Sequence, residues 1–233
     1  MISTFNDWAE WFPRLWSGYL LSLEVASLSL LIGIPLGLLW AIGGQAKTKA
    51  IRWACVVLVE LGRGGPVLIL LQFLYFGLPN TGLTLSSLSA SIVALAWSTG
   101  AYTSEIIRAG LNAVAAGQRE AAQTLGLNRS DILRIIIIPQ GLRIALPPLL
   151  GFALLILQAT SLCFTIALPE LISAANDIGS ETFQYMSILS LTGLMYALVC
   201  VPATFAVNYL ETHLGKKNKK KGYVLSRKGV DFT

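Results

Sequence analysis

Long apolar stretches without a charged side chain most constrain what this chain can fold into. Residues 25–46 and 64–104 contain no Asp, Glu, Lys or Arg. A helix that crosses a bilayer needs about 20 predominantly apolar residues, and a soluble domain carries about 25% charged residues. Here only 12% of the 233 residues are charged, 55% are hydrophobic, and the mean hydropathy is +0.67. The chain is therefore predicted to be a polytopic membrane protein, which excludes a disordered chain, a disulfide-rich secreted scaffold and an ordinary cytosolic enzyme.

The apolar stretches predict an all-α fold with about five transmembrane helices. A turn cluster at residues 77–82 divides the longest stretch into two spans. Residues 1–16 are aromatic-rich and predict an extracytoplasmic interfacial segment, whose short helix Pro13 should limit. The transmembrane domain is predicted at residues 17–214, with spans at roughly 17–42, 54–78, 87–109, 144–169 and 182–210.

The distribution of basic residues predicts the orientation of the chain. Fifteen of the 17 Lys and Arg residues fall in alternate loops and in the tail at 215–233. Cytoplasmic loops carry an excess of Lys and Arg, so these loops should be cytoplasmic, with the N-terminus outside and the C-terminus inside. The other loops hold Arg14 and the acids Asp7, Glu10, Glu170, Asp177 and Glu181. The net charge of +5 thus reflects topology and contact with anionic lipid, and no nucleic-acid partner is predicted.

Ionisable and polar residues within predicted spans are the candidates for a transport path. Such residues are costly in a bilayer and usually face the interior of a helix bundle. Glu60 and Arg63, or Glu105 and Arg108, could simply neutralise each other at a spacing of three residues. Glu24 has no local basic partner, so a place in the path and a place at the membrane interface stay open alternatives. The candidate path residues are Glu24, Glu60, Arg63, Gln72, Tyr102, Gln158, Thr160 and Ser161.

Glycines in two of the spans indicate different local structures. Gly33 and Gly37 form a GxxxG pattern, which is typical of close helix packing. The run Gly62-Arg63-Gly64-Gly65-Pro66 places helix-breaking residues around a charge. Broken helices at membrane depth occur where they are buried or line a cavity. This run therefore favours a transport path over a simple membrane anchor.

The loop at residues 111–140 carries the most specific pattern in the chain. An alanine-rich helix is predicted from about 112 to 125, ended by Gly126 in a left-handed conformation. A second helix should begin near Asn128 or Ser130 and stop before Pro139. The first of these two helices has a small apolar patch beside Glu120, formed by Ala121, Ala122 and Leu125. Such a cytoplasmic two-helix loop is predicted to be a docking surface for a partner groove.

The loop closely resembles the EAA loop of permease subunits of ATP-binding-cassette (ABC) importers. The resemblance rests on Glu120-Ala121-Ala122, Gly126 and Ile138-Pro139, with Ile138 where the family usually has Leu. Across roughly residues 17–214 the chain is similar to the polar amino-acid branch of that family, of the histidine and glutamine type. The similar stretches are VELGRGGPVLILLQFLYFGLP (59–79), WSTGAYTSEIIRAGLNAV (97–114), GQREAAQTLGL (117–127), PQGLRIALPPL (139–149) and ATSLCFTIALPEL (159–171).

Two departures from the family pattern leave the substrate open. Gly65 stands where the family commonly has Thr, and Gln158-Ala159 stands where it often has a polar pair such as Lys-Asp. Either the substrate differs, or a partner permease supplies the missing contact. The resemblance still implies an importer of amino acids, polar or charged ones in the family, in a bacterial inner membrane.

The resemblance also implies the partners. Glu120, Ala121, Ala122, Leu125 and Gly126 would be gripped by a separate ATPase dimer, which would hold the ATP and Mg²⁺. A second permease chain, identical or related, would complete the path, and an extracytoplasmic binding protein would deliver substrate. The sequence contains no phosphate-cradling Gly-x-x-x-x-Gly-Lys-Ser/Thr loop, so no catalytic site and no cofactor are predicted in this chain.

An intramembrane enzyme and a passive channel are the two alternative classes of function. An intramembrane enzyme using Glu24, Glu60 or Glu105 would need convergent catalytic groups, and the sequence shows no acid pair or His/Ser set. A passive channel is the other alternative. Cys55, Cys163 and Cys200 lie in apolar runs without metal-ligand spacing, so no metal site is predicted.

Overall fold

A computed structural model describes the backbone of residues 2–228 and the side chains of residues 7–212. Within the described residues, all regular secondary structure is helical, and no strand occurs. The basic side chains of the predicted tail lie outside the described residues. The helices are α1 (Ile2–Gly43), α2 (Lys49–Arg63), α3 (Val67–Gln72), α4 (Ser87–Asn112), α5 (Ala116–Thr124), α6 (Arg129–Asp131), α7 (Ile138–Ala159), α8 (Leu171–Thr182) and α9 (Tyr185–Lys228).

All five predicted spans coincide with helical segments. Three segments of the described chain are long and apolar enough to cross a membrane by themselves: Asp7–Gly43, Arg129–Ile166 and Tyr185–Thr212. The second predicted span is a bent pair of helices that qualifies only when taken together. The third, α4, has 26 residues and is about 39 Å long, but it is less apolar than the others. All-α architecture with membrane-spanning helices is therefore confirmed.

α4 is polar because it is the central helix of the bundle. It packs against α1, α2 and α7, and Ser91, Ser98, Thr99, Thr103 and Ser104 on it are buried in protein. Three of these hydroxyls donate to carbonyls of their own helix: Ser91 to Ser87 at 2.7 Å, Thr103 to Thr99 at 2.6 Å and Ser104 to Ala101 at 2.7 Å. A helix that is surrounded by other helices does not need an apolar surface to face lipid.

The GxxxG pattern of α1 packs against α4, as predicted. A Cβ atom added to Gly33 would lie 2.5 Å from Thr99 Cβ and 2.7 Å from the Ala96 carbonyl oxygen. One added to Gly37 would lie 2.9 Å from the Gly100 carbonyl oxygen. Only glycine allows the two backbones to approach this closely.

The predicted short N-terminal helix is wrong as a separate element. α1 runs without interruption from Ile2 to Gly43 and contains Pro13. Proline removes one backbone hydrogen bond from a helix, but the flanking residues Trp11 and Leu15 are buried in a cluster with residues of α8 and α9. That packing stabilises the helix on both sides of the proline, so the N-terminal segment and the first span form one continuous helix.

The second predicted span is broken at the glycine-rich run, as the sequence indicated. α2 ends at Arg63, and α3 begins after Pro66, which takes an extended conformation. The axes of the two parts differ by 99°. α3 continues through a π-helical turn at Phe73–Gly77 and a 3₁₀ turn at Leu78–Thr81, and Gly82 ends it with φ +87°.

The predicted helix stop before Pro139 is also wrong. α6 continues through a π-helical turn at Ile132–Ile137 into α7, so one helical segment runs from Arg129 to Ile166. Pro139 lies in the first turn of α7, directly after the wider π turn. A π turn changes the backbone partners locally, which allows the chain to pass the proline without a break. The second helix of the loop is therefore the beginning of the fourth span.

Between the last two spans lies α8, in a segment predicted only as an acidic outer loop. Glu170 is not exposed there but fully buried. Its carboxylate caps α8 by accepting from the backbone N–H groups of Ile172 and Ser173, both at 2.9 Å. Ser22 of α1 donates to the same carboxylate at 3.3 Å. Glu170 thus joins α8 to α1 instead of adding charge to the surface.

Candidate coupling surface and transport path

The predicted docking loop forms a compact projection at one end of the bundle. α5 follows α4 after three residues, and Asn128 caps α6 by accepting from the Asp131 backbone N–H at 2.9 Å. The loop therefore presents α5 between two helices that run into the bundle.

Gly126 ends α5 in the conformation that the sequence predicted. Its φ is +78°. The Gly126 N–H donates to the Gln123 carbonyl at 3.0 Å, and the Leu127 N–H donates to the Ala122 carbonyl at 3.1 Å. This pair of bonds is the Schellman arrangement, which favours glycine at the left-handed position. It turns the chain sharply and leaves Leu125 at the tip.

The predicted apolar patch is divided by the structure. Leu125 is 81% exposed, and Glu120 and Ala121 are also exposed. Ala122, by contrast, is buried against the interior of its own chain. The surface open to a partner therefore consists of Glu120, Ala121, Leu125 and Gly126, while Ala122 anchors α5 to the bundle.

α5 is tied to the spans by short contacts. Arg119 Nη2 donates to the Leu111 carbonyl of α4 at 3.4 Å, and Gln140 of α7 donates to Gln118. Below them, α4 and α7 cross closely: a Cβ added to Gly110 would lie 2.5 Å from the Gly141 carbonyl oxygen. α5 is therefore attached directly to both α4 and α7.

Glu60 and Arg63 of the predicted path form one connected set with Glu105 and Arg108, whereas Glu24 is not part of it. Arg63 lies 3.9 Å from Glu60 (Nε to Oε2) and 3.8 Å from Glu105 (Nη1 to Oε1). Arg108 is also paired with Glu105. Both local pairings expected from sequence occur, and Arg63 adds a bridge between α2 and α4 that the spacing alone did not reveal. The four groups neutralise one another across two helices.

Two cavities lie along α4, one beside Leu95, Ser98 and Tyr102 and the other beside Ser104, Glu105 and Arg108. The one nearer α5 has a volume of about 280 Å³, and Glu60, Ser104, Glu105 and Arg108 are among its walls. The other has a volume of about 180 Å³ and lies against the helix break at Gly65-Pro66. We call these the charged cavity and the bend cavity. Each borders a predicted path residue, Tyr102 at the bend cavity and Glu60 at the charged cavity.

Tyr102 is the one predicted path residue that lines the bend cavity. Its ring stacks on Phe152 of α7, with centroids 5.6 Å apart and planes at 27°. This contact joins α4 to α7 at the wall of the cavity. The walls are formed by Gly65, Pro66, Val67, Leu95, Ser98, Tyr102, Phe152, Leu155, Ile156 and Ala159.

Five other predicted path residues line neither cavity: Glu24, Gln72, Gln158, Thr160 and Ser161. Glu24 on α1, Gln72 at the end of α3 and Gln158 on α7 are exposed on the surface of the chain. Thr160 is fully buried, and its hydroxyl donates to the Leu157 carbonyl at 2.7 Å. Ser161 donates to the Gln158 carbonyl at 2.7 Å. These two hydroxyls satisfy their own helical turn.

Sequence reasoning missed the apolar walls of the bend cavity. Phe152, Leu155 and Ile156 of α7 read as ordinary lipid-facing or packing residues in an apolar span. The signal available in the sequence was the spacing of Ser98 and Tyr102, four residues apart, which places both on one face of α4. Which face of α7 packs against this face of α4 depends on contacts between segments that are distant in the sequence.

The bundle combines membrane-spanning helices, a helix broken beside a cavity and an exposed short helix at one end, which are the features expected of a membrane transport protein. The sequence matches the family described as "Binding-protein-dependent transport system inner membrane component" over residues 33–216. The chain belongs to this family. It is thus a multi-pass transport permease of the inner membrane, and the family in general works with an ATPase and a binding protein.

Individual relatives agree with this assignment. The chain is 37% identical over 202 residues to the "Probable amino-acid ABC transporter permease protein YckA" of Bacillus subtilis (strain 168), covering 87% of this chain and 89% of that protein. It is 38% identical over 198 residues to the "Probable glutamine ABC transporter permease protein GlnP" of the same organism, covering 84% and 87%.

Solved structures have the same fold. A chain from the "Crystal structure of an amino acid ABC transporter with histidines" superposes with a TM-score of 0.84 at 30% identity, covering 90% of this chain and 98% of that one. A chain of the inward-facing MetNI methionine ABC transporter gives a TM-score of 0.68 at 18% identity, covering 89% and 98%. This second likeness concerns the fold alone.

Proposed function

We propose that this chain is the permease subunit of an importer that carries amino acids into a bacterial cell. The relatives named above are described as amino-acid and glutamine permeases, and the solved structure named above at 30% identity comes from an amino acid ABC transporter. A binding protein delivers the substrate at the outer side. Two permease chains, identical or related, enclose the path between them.

In this proposal ATP and Mg²⁺ are bound and ATP is hydrolysed in a separate ATPase dimer. The observation that carries the coupling role is the exposed tip of α5. Leu125 is 81% exposed on a helix whose Ala122 and Arg119 fix it to the bundle. An exposed apolar side chain on a rigid projection is suited to a partner groove. Closure of the ATPase dimer then moves α5 and rocks the spans, as in alternating access generally.

The orientation follows from charge. The loops with basic residues, including the α5 loop, lie in the cytoplasm, so the N-terminus is outside and the C-terminus inside. Arg14 and Glu181, both assigned to the outer side, form a two-pronged ion pair with N–O distances of 2.7 and 3.0 Å. This pair supports placing their segments on one side.

Replacing Leu125 by serine tests the docking role. Loss of an exposed apolar anchor should weaken ATPase binding and uncouple transport, by roughly tenfold or more for an interface hot spot, while the fold remains intact. The measurements are copurification of the ATPase with tagged permease, and uptake of labelled amino acid in proteoliposomes of the complete importer.

The matched control is Leu83→Ser. Leu83 is 55% exposed in the loop that precedes α4, at the opposite end from α5. Normal ATPase binding and normal uptake in the Leu125 variant would contradict the docking role. Equal losses in both variants would indicate general damage from exposed-leucine replacement.

A further inference from the structure

The bend cavity has a consistent chemical character. None of its ten wall residues is charged, and most are apolar or glycine. The polar atoms that its side chains offer are the hydroxyls of Ser98 and Tyr102. Neither hydroxyl makes a hydrogen bond to any residue whose side chain the structure describes, whereas Thr103 and Ser104 on the same helix bond to carbonyls of their own helix. These two hydroxyls are available to a guest.

The nearest charges are engaged elsewhere. Arg63 and Glu105 pair with each other and with Glu60 and Arg108. Glu60, Glu105 and Arg108 line the charged cavity, which lies further along α4 toward α5. A guest in the bend cavity therefore meets no free counter-charge on its walls.

An ionised side chain in such a cavity would lose its hydration without gaining a partner. Burying an unpaired charge is far more costly than burying an uncharged polar group that retains one hydrogen bond. An uncharged aliphatic or amide side chain would lose little, since the apolar walls favour it and the two hydroxyls can bond an amide.

We propose that the bend cavity receives the side chain of the transported amino acid and selects an uncharged one, with Ser98 and Tyr102 as the residues that recognise a polar, uncharged group. This proposal rests on the amino-acid import proposed above. It adds the substrate class and the wall that determines it.

Amino acids of nearly equal shape but different charge provide the test. Glutamine against glutamate, and norleucine against lysine, separate charge from size. Equilibrium binding of each labelled compound is measured on the purified permease–ATPase complex without the binding protein, so that the selectivity of the binding protein does not enter. The uncharged member of each pair should bind at least about tenfold more tightly.

Two kinds of variant locate the selectivity. Ala159→Leu reduces the space in the bend cavity and should weaken binding of norleucine and glutamine. Ala153→Leu makes the same change on the same helix at a residue that does not line the cavity, and should leave binding unchanged. Ser98→Ala and Tyr102→Phe should weaken glutamine binding while norleucine binding is retained, a difference that a general loss of structure would not produce.

The outcomes are distinct. Equal or tighter binding of glutamate and lysine would overturn the selectivity and leave amino-acid import standing. The same loss with Ala153→Leu as with Ala159→Leu would overturn the assignment to this cavity. No binding of any of the four compounds by a complex that still hydrolyses ATP would overturn both the substrate class and the proposed amino-acid import.

Discussion

At the scale of the residue, Glu170 shows how burial gives a carboxyl group a structural task. It lies outside the spans, in the segment between α7 and α8, and burial raises its pKa from the ordinary 4.5 to about 7. The bonds from Ile172, Ser173 and Ser22 lower the pKa but do not outweigh desolvation. The folded protein thus holds this proton more tightly than the unfolded chain does.

This pKa shift predicts a pH dependence of stability. Between about pH 4.5 and 7 the unfolded chain has released the proton and the folded one has not, so the free energy of unfolding falls as the pH rises. Thermal unfolding in detergent across this range should show the fall in the wild type and a flatter profile in Glu170→Gln. A profile with the same slope in both proteins would contradict the assignment.

Glu181 supplies a control with the opposite sign. The hydrogen bond from Arg14 lowers the pKa of this exposed carboxyl. Its small contribution to stability is therefore present at neutral pH and lost as the pH falls. Glu181→Gln should remove stability at neutral pH and leave the fall between pH 4.5 and 7 in place.

At the scale of the element, the crossing of α1 and α4 depends on glycine. A methyl group at Gly37 would meet the backbone of α4. Gly37→Ala should therefore lower the free energy of unfolding by about 1–3 kcal/mol, the usual range for overpacking. Thermal unfolding of the purified protein is the measurement.

Gly151→Ala is the matched control, because an added Cβ at Gly151 would meet no atom within 4 Å. Alanine favours the helix over glycine by about 0.5–1 kcal/mol, so this variant should be equally or more stable than the wild type. Destabilisation by Gly151→Ala as large as that by Gly37→Ala would contradict the role of close packing.

The elements also show where sequence reasoning reaches its limit. The helical segments, the break at Gly64-Gly65-Pro66 and the left-handed Gly126 could be predicted, because each depends on local patterns. The passage of the chain through Pro13 and Pro139 could not, since packing and a π turn override the local effect of proline. The burial of Glu170 depends on its contact with Ser22 of α1, about 150 residues earlier in the chain. A contact between such distant residues cannot be predicted from the local sequence.

At the scale of the whole molecule, the proposed orientation places the basic loops on the cytoplasmic side and the acidic loops on the outer side. This separation predicts the reactivity of cysteines introduced into the two kinds of loop. In intact cells, Asn80→Cys near the outer end of α3 should react with a membrane-impermeant maleimide. Thr48→Cys in the basic loop before α2 should react only after permeabilisation.

The wild type is the control, because its own Cys163 and Cys200 are buried and Cys55 is partly buried. If Thr48→Cys is labelled in intact cells and Asn80→Cys is not, the orientation is the reverse of the one proposed. The fold would be unaffected by that result, but α5 would then face away from any cytoplasmic ATPase.

The ion-pair set of α2 and α4 has a consequence for the energetics of transport. Glu60, Glu105, Arg63 and Arg108 carry two negative and two positive charges. Moving one net charge through a membrane potential of 100 mV involves about 2.3 kcal/mol, but a group that sums to zero and moves as a unit involves none. The resting voltage of the cell therefore exerts no net force on these four side chains when they move as a unit.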